Sequence, residues 1–208
     1  SLSSAISSAQ TSLSNYATQT SILSRNISNA SNADYSRRNA VLATSLARLR
    51  PDRVICLGDS FHDAQASDRL SPQDRAVLGK LVSNVDWIWI AGNHDPAPPA
   101  DLGGRVRADW LEGPLVFRHE AEHGSRPGEV SGHFHPKASV QTRARRLSAR
   151  CFIEDGARLI LPAYGSYTGG LSVWDPAING LFPKGFSVHL ATGRAVVRVP
   201  KARLLRAA

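Results

Sequence analysis

Four short stretches of this chain carry the residue types that hold divalent cations. In order they are Gly58-Asp59, Gly92-Asn93-His94-Asp95, a lone His119, and Gly132-His133-Phe134-His135. A carboxylate such as Asp59 can bridge two cations, while asparagine oxygen and imidazole nitrogen complete a shell with neutral donors that suit Mn, Fe or Zn. Two such cations roughly 3.5–4 Å apart polarise a phosphate and generate hydroxide between them, which is the chemistry of phosphoester hydrolysis. Gly-Asp alone carries no weight, and a single histidine more often belongs to a core or a surface. The signal lies in the order of the four stretches. His62, His123 and His189 have no place in that order and read as structural or solvent-exposed, with His62 also open to a role as an outer partner of the ligands.

Elements that could position these residues lie immediately before them. Ser45 to Arg50 reads as the last turns of a helix stopped by Pro51. Arg53 to Leu57 is a compact apolar strand running into Gly58-Asp59, and Asp86 to Ala91 is a second one running into Gly92-Asn93-His94-Asp95. Between them Pro72 to Val82 is a helix, with Ser71 as N-cap and Pro72 in the first turn. Leu115 to Phe117 leads to His119, and Glu129 to Ser131 leads to Gly132. Further strands are expected at 150–154, 158–162, 186–190 and 195–199. Each polar stretch therefore follows an apolar strand, at the carboxyl end of a sheet where ligands bind. The class is α/β.

Composition divides the chain in two. Residues 1–44 hold 12 serines and five asparagines, whereas all 16 glycines and all 12 prolines come later. In the first piece Leu2, Ile6, Ala9, Leu13, Tyr16, Thr20, Leu23 and Ile27 alternate spacings of four and three, the period of a coiled-coil seam. Serine is a mediocre helix former, so such a helix wants a partner, and self-association through it is an expectation. The whole chain is globular in balance, with 42% hydrophobic and 20% charged residues. No apolar run approaches the roughly 18 residues that span a bilayer, and the N-terminus lacks the pattern of a secretory signal. Cys56, inside the apolar Val54-Ile55-Cys56-Leu57, reads as a core residue; with Cys151 it makes no disulfide framework, and a cytoplasmic location is the expectation. The net charge of +8 favours anionic partners such as nucleic acid. Arg143, Arg145 and Arg146, with Arg150 beyond, are the densest basic run and the first candidates for phosphate contacts.

The order of the four polar stretches resembles the calcineurin-like metallophosphoesterases, whose pattern is Asp-x-His, Gly-Asp, Gly-Asn-His-Asp/Glu, His and Gly-His-x-His. That resemblance implies a four-layer α-β-β-α sandwich and a two-metal site. Within it Asp59 would bridge both ions, Asn93, His119 and His133 would complete one metal position, and His135 would belong to the other. His94 would contact phosphate and help the leaving group depart, oriented by Asp95. From Leu46 to about Pro200 the sequence is similar, more narrowly, to the bacterial ligase-associated DNA damage response phosphoesterases. That similarity rests on Pro51 to Asp63, Trp87 to Pro98, Leu115 to Glu120 and Leu161 to Gly170. It implies a phosphodiester substrate and a setting in DNA repair.

Residues 1–44 resemble a different family, the flagellar hook-filament junction proteins, through the stretch from Gln19 to Arg38 around Ser24-Arg25-Asn26-Ile27-Ser28-Asn29-Ala30. There the segment is a helix for export and assembly that pairs with a C-terminal helix, and the C-terminal third of this chain reads as strands. The expectation is a fusion: a helical segment over 1–44, and over 45–208 a phosphoesterase domain without its first strand. Residues 1–58 contain no histidine, so no Asp-x-His precedes Asp59 in this sequence. Three readings stay open on these grounds. The chain is a working metal-dependent phosphodiesterase, a one-metal or inactive remnant that still binds nucleic acid, or a flagellar export segment carrying a passenger.

Overall fold

A computed structural model describes residues 33–61, 70–96, 100–124, 127–164, 169–192 and 195–206. The coiled-coil seam from Leu2 to Ile27, and His62, lie outside the described residues. The chain divides into two compact units, with Trp110 and His119 in the smaller and Glu120 onward in the larger. Among the described residues no helix is long and apolar enough to cross a membrane.

The smaller unit is an α/β layer. Helix α1 (Ala33–Leu49) runs without a break through residue 44, where the composition changes. It stops at Leu49, two residues before Pro51, whose ring disfavours helical backbone at Arg50. Strand β1 (Arg53–Cys56) follows, then α2 (Pro72–Ser83), β2 (Asp86–Ile90) and β3 (Arg105–Arg107). The strands pair in parallel in the order β1-β2-β3, with Ile55 beside Ile88 and Trp89 beside Val106. Its core gathers Phe61, Leu70, Leu78, Val82, Trp87, Trp89 and Leu102, with Leu42 and Leu46 of α1, Val54, Cys56 and Val85 at the margin. Asn39 fastens α1 to the start of α2, its side-chain amide donating to the Asp74 carbonyl at 3.2 Å.

Helix α2 starts where its first residues dictate. Ser71 sits in extended backbone, its hydroxyl accepts from the Asp74 amide at 3.0 Å and donates to the Asp74 carboxylate at 2.7 Å, and Pro72 needs no partner for a missing N–H. Ser71→Ala is expected to cost about 1 kcal/mol of stability, the usual worth of such a cap. A urea midpoint indistinguishable from the parent's would rule the cap out as a contributor.

In the larger unit, strands β4 (Asp109–Glu112), β5 (Leu115–Arg118), β6 (Glu129–Ser131), β8 (Arg146–Glu154), β9 (Arg158–Ile160), β10 (Ser187–Ala191) and β11 (Val196–Pro200) form a sheet in the order β11-β10-β8-β9-β6-β5-β4. β4 and β5 are divided, with Leu111, Glu112, Leu115 and Val116 in the larger unit and Asp109, Trp110, Phe117 and Arg118 in the smaller. Strand β7 (Lys137–Gln141) pairs with the first half of β8, Lys137 opposite Arg150 and Gln141 opposite Arg146. The second half of β8 pairs with β10 and β9. A short helix α3 (Pro176–Asn179) contributes Ile178 to a core that includes Phe134, Ile153, Ile160, Phe182, Val188 and Leu204. Both cysteines are free, and burial pushes the Cys151 thiol up to about 12.

Candidate metal centre

Two of the polar stretches follow β1 and β2, which lie side by side and point the same way, so their ends deliver Asp59 and Asn93 to one edge of the sheet. Backbone conformation there is unusual. Four non-glycine residues among those described have positive φ, and three of them belong to the motifs: Asp59 at 48°, His133 at 61° and His135 at 48°. Left-handed backbone costs a non-glycine residue about 1–3 kcal/mol and persists only where the surroundings enforce it, which is characteristic of functional positions.

The enforcement around Asp59 can be traced. Its Oδ1 accepts the His94 amide at 2.9 Å. Asp95 is buried, and its Oδ2 accepts the Phe61 amide at 2.7 Å, tying the loop after β2 to the loop after β1. Burial raises the Asp95 carboxyl above the usual range against the lowering effect of that hydrogen bond, and the charge of Asp59 raises it further. Two glycines make the approach feasible. A Cβ at Gly92 would collide with the backbone nitrogen and Oδ1 of Asp59 and reach 2.8 Å from Asp95 Oδ1. A Cβ at Gly58, where φ is 83°, would strike the His119 ring, 2.7 Å from Cγ.

His119 completes the group. Its Nδ1 lies 2.7 Å from the Leu57 carbonyl oxygen, which can only accept, so Nδ1 carries the hydrogen. In its neutral form the ring then presents a lone pair on Nε2, the atom that faces Asn93 Oδ1 at 2.8 Å and Asp59 Oδ2 at 3.2 Å. A lone pair turned toward two oxygens needs a positive charge among them, either a proton on the ring or a cation. The set of carboxylate oxygen, amide oxygen and imidazole nitrogen suits a divalent transition metal. The Leu57 carbonyl behind the ring is the outer hydrogen bond that commonly fixes a metal-binding histidine. These residues fit a metal.

His133 and His135 belong to the larger unit, in the turn between β6 and β7. Phe134 between them is buried in the core, its amide donating to the Gly132 carbonyl at 2.8 Å and its carbonyl accepting the Leu171 amide at 3.2 Å. His133 Nε2 lies 3.8 Å from Glu120 Oε1. His94 is exposed. Arg143, Arg145 and Arg146 stand exposed at the turn joining β7 to β8. His189 is buried 3.3 Å from Glu154, which makes it structural. Sequence reasoning did not identify the Leu57 carbonyl or the bracing by Asp95, because a backbone acceptor and a side chain bound to a backbone amide leave no mark in residue spacing.

Residues 31–172 match the family profile described as Calcineurin-like phosphoesterase. Among solved structures the chain is similar to that titled "Crystal structure of Pseudomonas putida nuclease MPE", at 29% identity with a TM-score of 0.63, over 83% of this chain and 82% of that one. No curated protein matches it.

Proposed function

Because the chain belongs to the calcineurin-like phosphoesterase family, we propose that it is a metal-dependent phosphodiesterase whose cation is held by Asp59, Asn93 and His119, with His133 assigned to the same cation by the family pattern alone. The observation that carries this reading is the convergence of His119 Nε2 with Asn93 Oδ1 at 2.8 Å and Asp59 Oδ2 at 3.2 Å. A bound divalent cation would supply positive charge to the phosphate and lower the pKa of a water, so that hydroxide is available as the nucleophile. The chain's own residues do the rest. Asp59 is fixed by the His94 amide and His119 by the Leu57 carbonyl, so these two ligands are held in place ahead of a cation. His94 is exposed one residue beyond Asn93, and its imidazole is assigned to the departing oxygen as proton donor. Asp95 braces the turn that carries it.

A phosphodiester of nucleic acid is the proposed substrate. The similarity to a structure named as a nuclease supports that choice, and the resemblance to ligase-associated phosphoesterases extends it to DNA repair. By the family pattern His135 serves a second cation together with Asp59. Residues 1–58 offer that position no histidine, so we infer one firmly held cation per chain and slow turnover. The test is metal content per chain after loading with Mn, alongside hydrolysis of a chromogenic phosphodiester. One cation, with slow hydrolysis lost to a chelator and restored by Mn, is the expected result. Two firmly held cations would overturn the half-site, and no cation with no hydrolysis would overturn the phosphodiesterase.

A further inference from the structure

The chain's positive charge is concentrated in two segments that the fold brings together. Residues 135–151 contain Lys137, Arg143, Arg145, Arg146 and Arg150 and no acidic residue; residues 195–208 contain Arg198, Lys201, Arg203 and Arg206 and again no acidic residue. Nine of the 25 bases sit there, leaving 16 to face all 17 acids, so these two segments account for the whole excess. The first forms the β7–β8 ribbon. The second reaches the edge of β7 away from β8, Ser139 pairing with Leu205 and the Leu205 amide donating to the Ser139 carbonyl at 2.8 Å.

Alternation along the ribbon sorts its side chains. Ala138 is buried in the core of the larger unit, and Val140 and Ala149 pack against it. Lys137, Ser139 and Gln141, opposite Arg150, Ser148 and Arg146, take the other face. That face carries bases and neutral hydrogen-bonding groups and no carboxylate. Arg150 and Arg198 are committed elsewhere, to the Ala163 carbonyl and to Glu154. Arg143, Arg145 and Arg146 are exposed on a turn that Thr142 holds shut, its hydroxyl donating to the Arg145 carbonyl at 2.6 Å and accepting the Arg145 amide at 3.0 Å. Three arginines are thus displayed from a fixed turn, with the exposed Arg203 on the neighbouring segment.

We propose that the tip of the β7–β8 ribbon, with Arg203 beside it, is a binding face for the phosphate backbone of nucleic acid. The ribbon carries no aromatic residue from Lys137 to Arg150. At its C-terminal border Trp174 is covered by Lys201 at 5.4 Å and Arg206 at 5.0 Å. Contacts are therefore to phosphates and not to stacked bases, so binding is indifferent to base sequence. The inference deepens the phosphodiesterase reading by giving its substrate an extended anionic body, yet it concerns a face that works without a cation.

The test uses the full chain in chelator with short labelled oligonucleotides, single- and double-stranded, titrated by fluorescence anisotropy over a range of salt. The triple variant R143Q/R145Q/R146Q is expected to bind at least about tenfold more weakly. Its slope of log affinity against log salt should fall by about 2 on single strands and nearer 3 on duplex, since each lost phosphate contact removes roughly 0.7–0.9. Parent affinity and slope retained by the triple variant would overturn the proposal. So would binding by the parent to phosphatidylglycerol vesicles and not to either oligonucleotide. In a separate assay with Mn in place of the chelator, hydrolysis of a small chromogenic phosphodiester is expected to be the same in parent and triple variant; if neither cleaves it there, the phosphodiesterase reading falls and the binding result stands.

Discussion

His119→Ala is expected to strip the bound cation and abolish phosphodiester hydrolysis. The effect should exceed the about 10–100-fold that losing an outer partner costs a metal site, because a ligand itself is lost. The ring is nearly enclosed, 8% exposed, and it joins three things: the Leu57 carbonyl behind it, Asn93 and Asp59 in front. Truncation leaves Asp59 and Asn93 without the imidazole nitrogen that faces them. Asp59→Asn is the companion variant. It keeps the size of the side chain and an oxygen for the His94 amide, but removes the negative charge that neutralises a cation. Both variants should fold, which circular dichroism checks, and both should lose metal, which mass spectrometry of the desalted protein counts. If either kept the parent's metal content and rate, this group of residues would not be the metal site.

The candidate site could be read from the sequence because its residues are few, chemically distinctive and fixed in order. Gly58-Asp59 and Gly92-Asn93 each follow an apolar strand, and neighbouring parallel strands can only bring their ends together. The glycines carry as much of that information as the ligands. Gly92 is required because Asp59 occupies the space its Cβ would take, a packing fact that the letter G records without explaining. Helix α2 was equally legible, since Ser71 and Pro72 act locally.

Other elements were not legible. Strand β7 begins directly after the histidine turn and reads Lys-Ala-Ser-Val-Gln, in which the inward residues are only alanine and valine. Its strand character comes from β8 alongside it, a long-range partner. Strand β3, Arg105-Val106-Arg107, is exposed throughout and shows no alternation of burial; it is defined by its backbone bonding to β2. Composition marks a break near residue 44, yet Asn39, Leu42 and Leu46 of one continuous helix bond to or pack on elements of the smaller unit. Composition reports a change in residue usage, and packing reports what those residues touch.

Glu129 and Arg158 illustrate the same limit, and they carry the largest stability effect expected. Nothing in their spacing, 29 residues apart, singles them out, but the parallel pairing of β6 and β9 sets them side by side. Glu129 is fully buried and Arg158 is 7% exposed. Arg158 Nε meets Glu129 Oε2, one guanidinium nitrogen donates to the Leu181 carbonyl at 3.0 Å, and the other donates to the Glu122 carbonyl. Glu129 Oε1 accepts the Glu122 amide at 3.1 Å. Both polar groups of the Glu122 backbone, three residues after His119, are therefore held by one buried ion pair. Arg158→Met leaves the Glu129 charge without its partner and the Leu181 and Glu122 carbonyls without their donors, and is expected to cost about 3–5 kcal/mol. Removing both charges in E129L/R158M should recover much of that loss, since the desolvation of a lone carboxylate is then gone. Urea unfolding of the parent, the single variant and the double variant separates the two effects. A single variant within about 1 kcal/mol of the parent would place this pair with the exposed ion pairs that contribute little. A double variant less stable than the single one would show instead that the hydrogen bonds to Glu122 and Leu181, and not the pairing of charges, hold this part of the larger unit together.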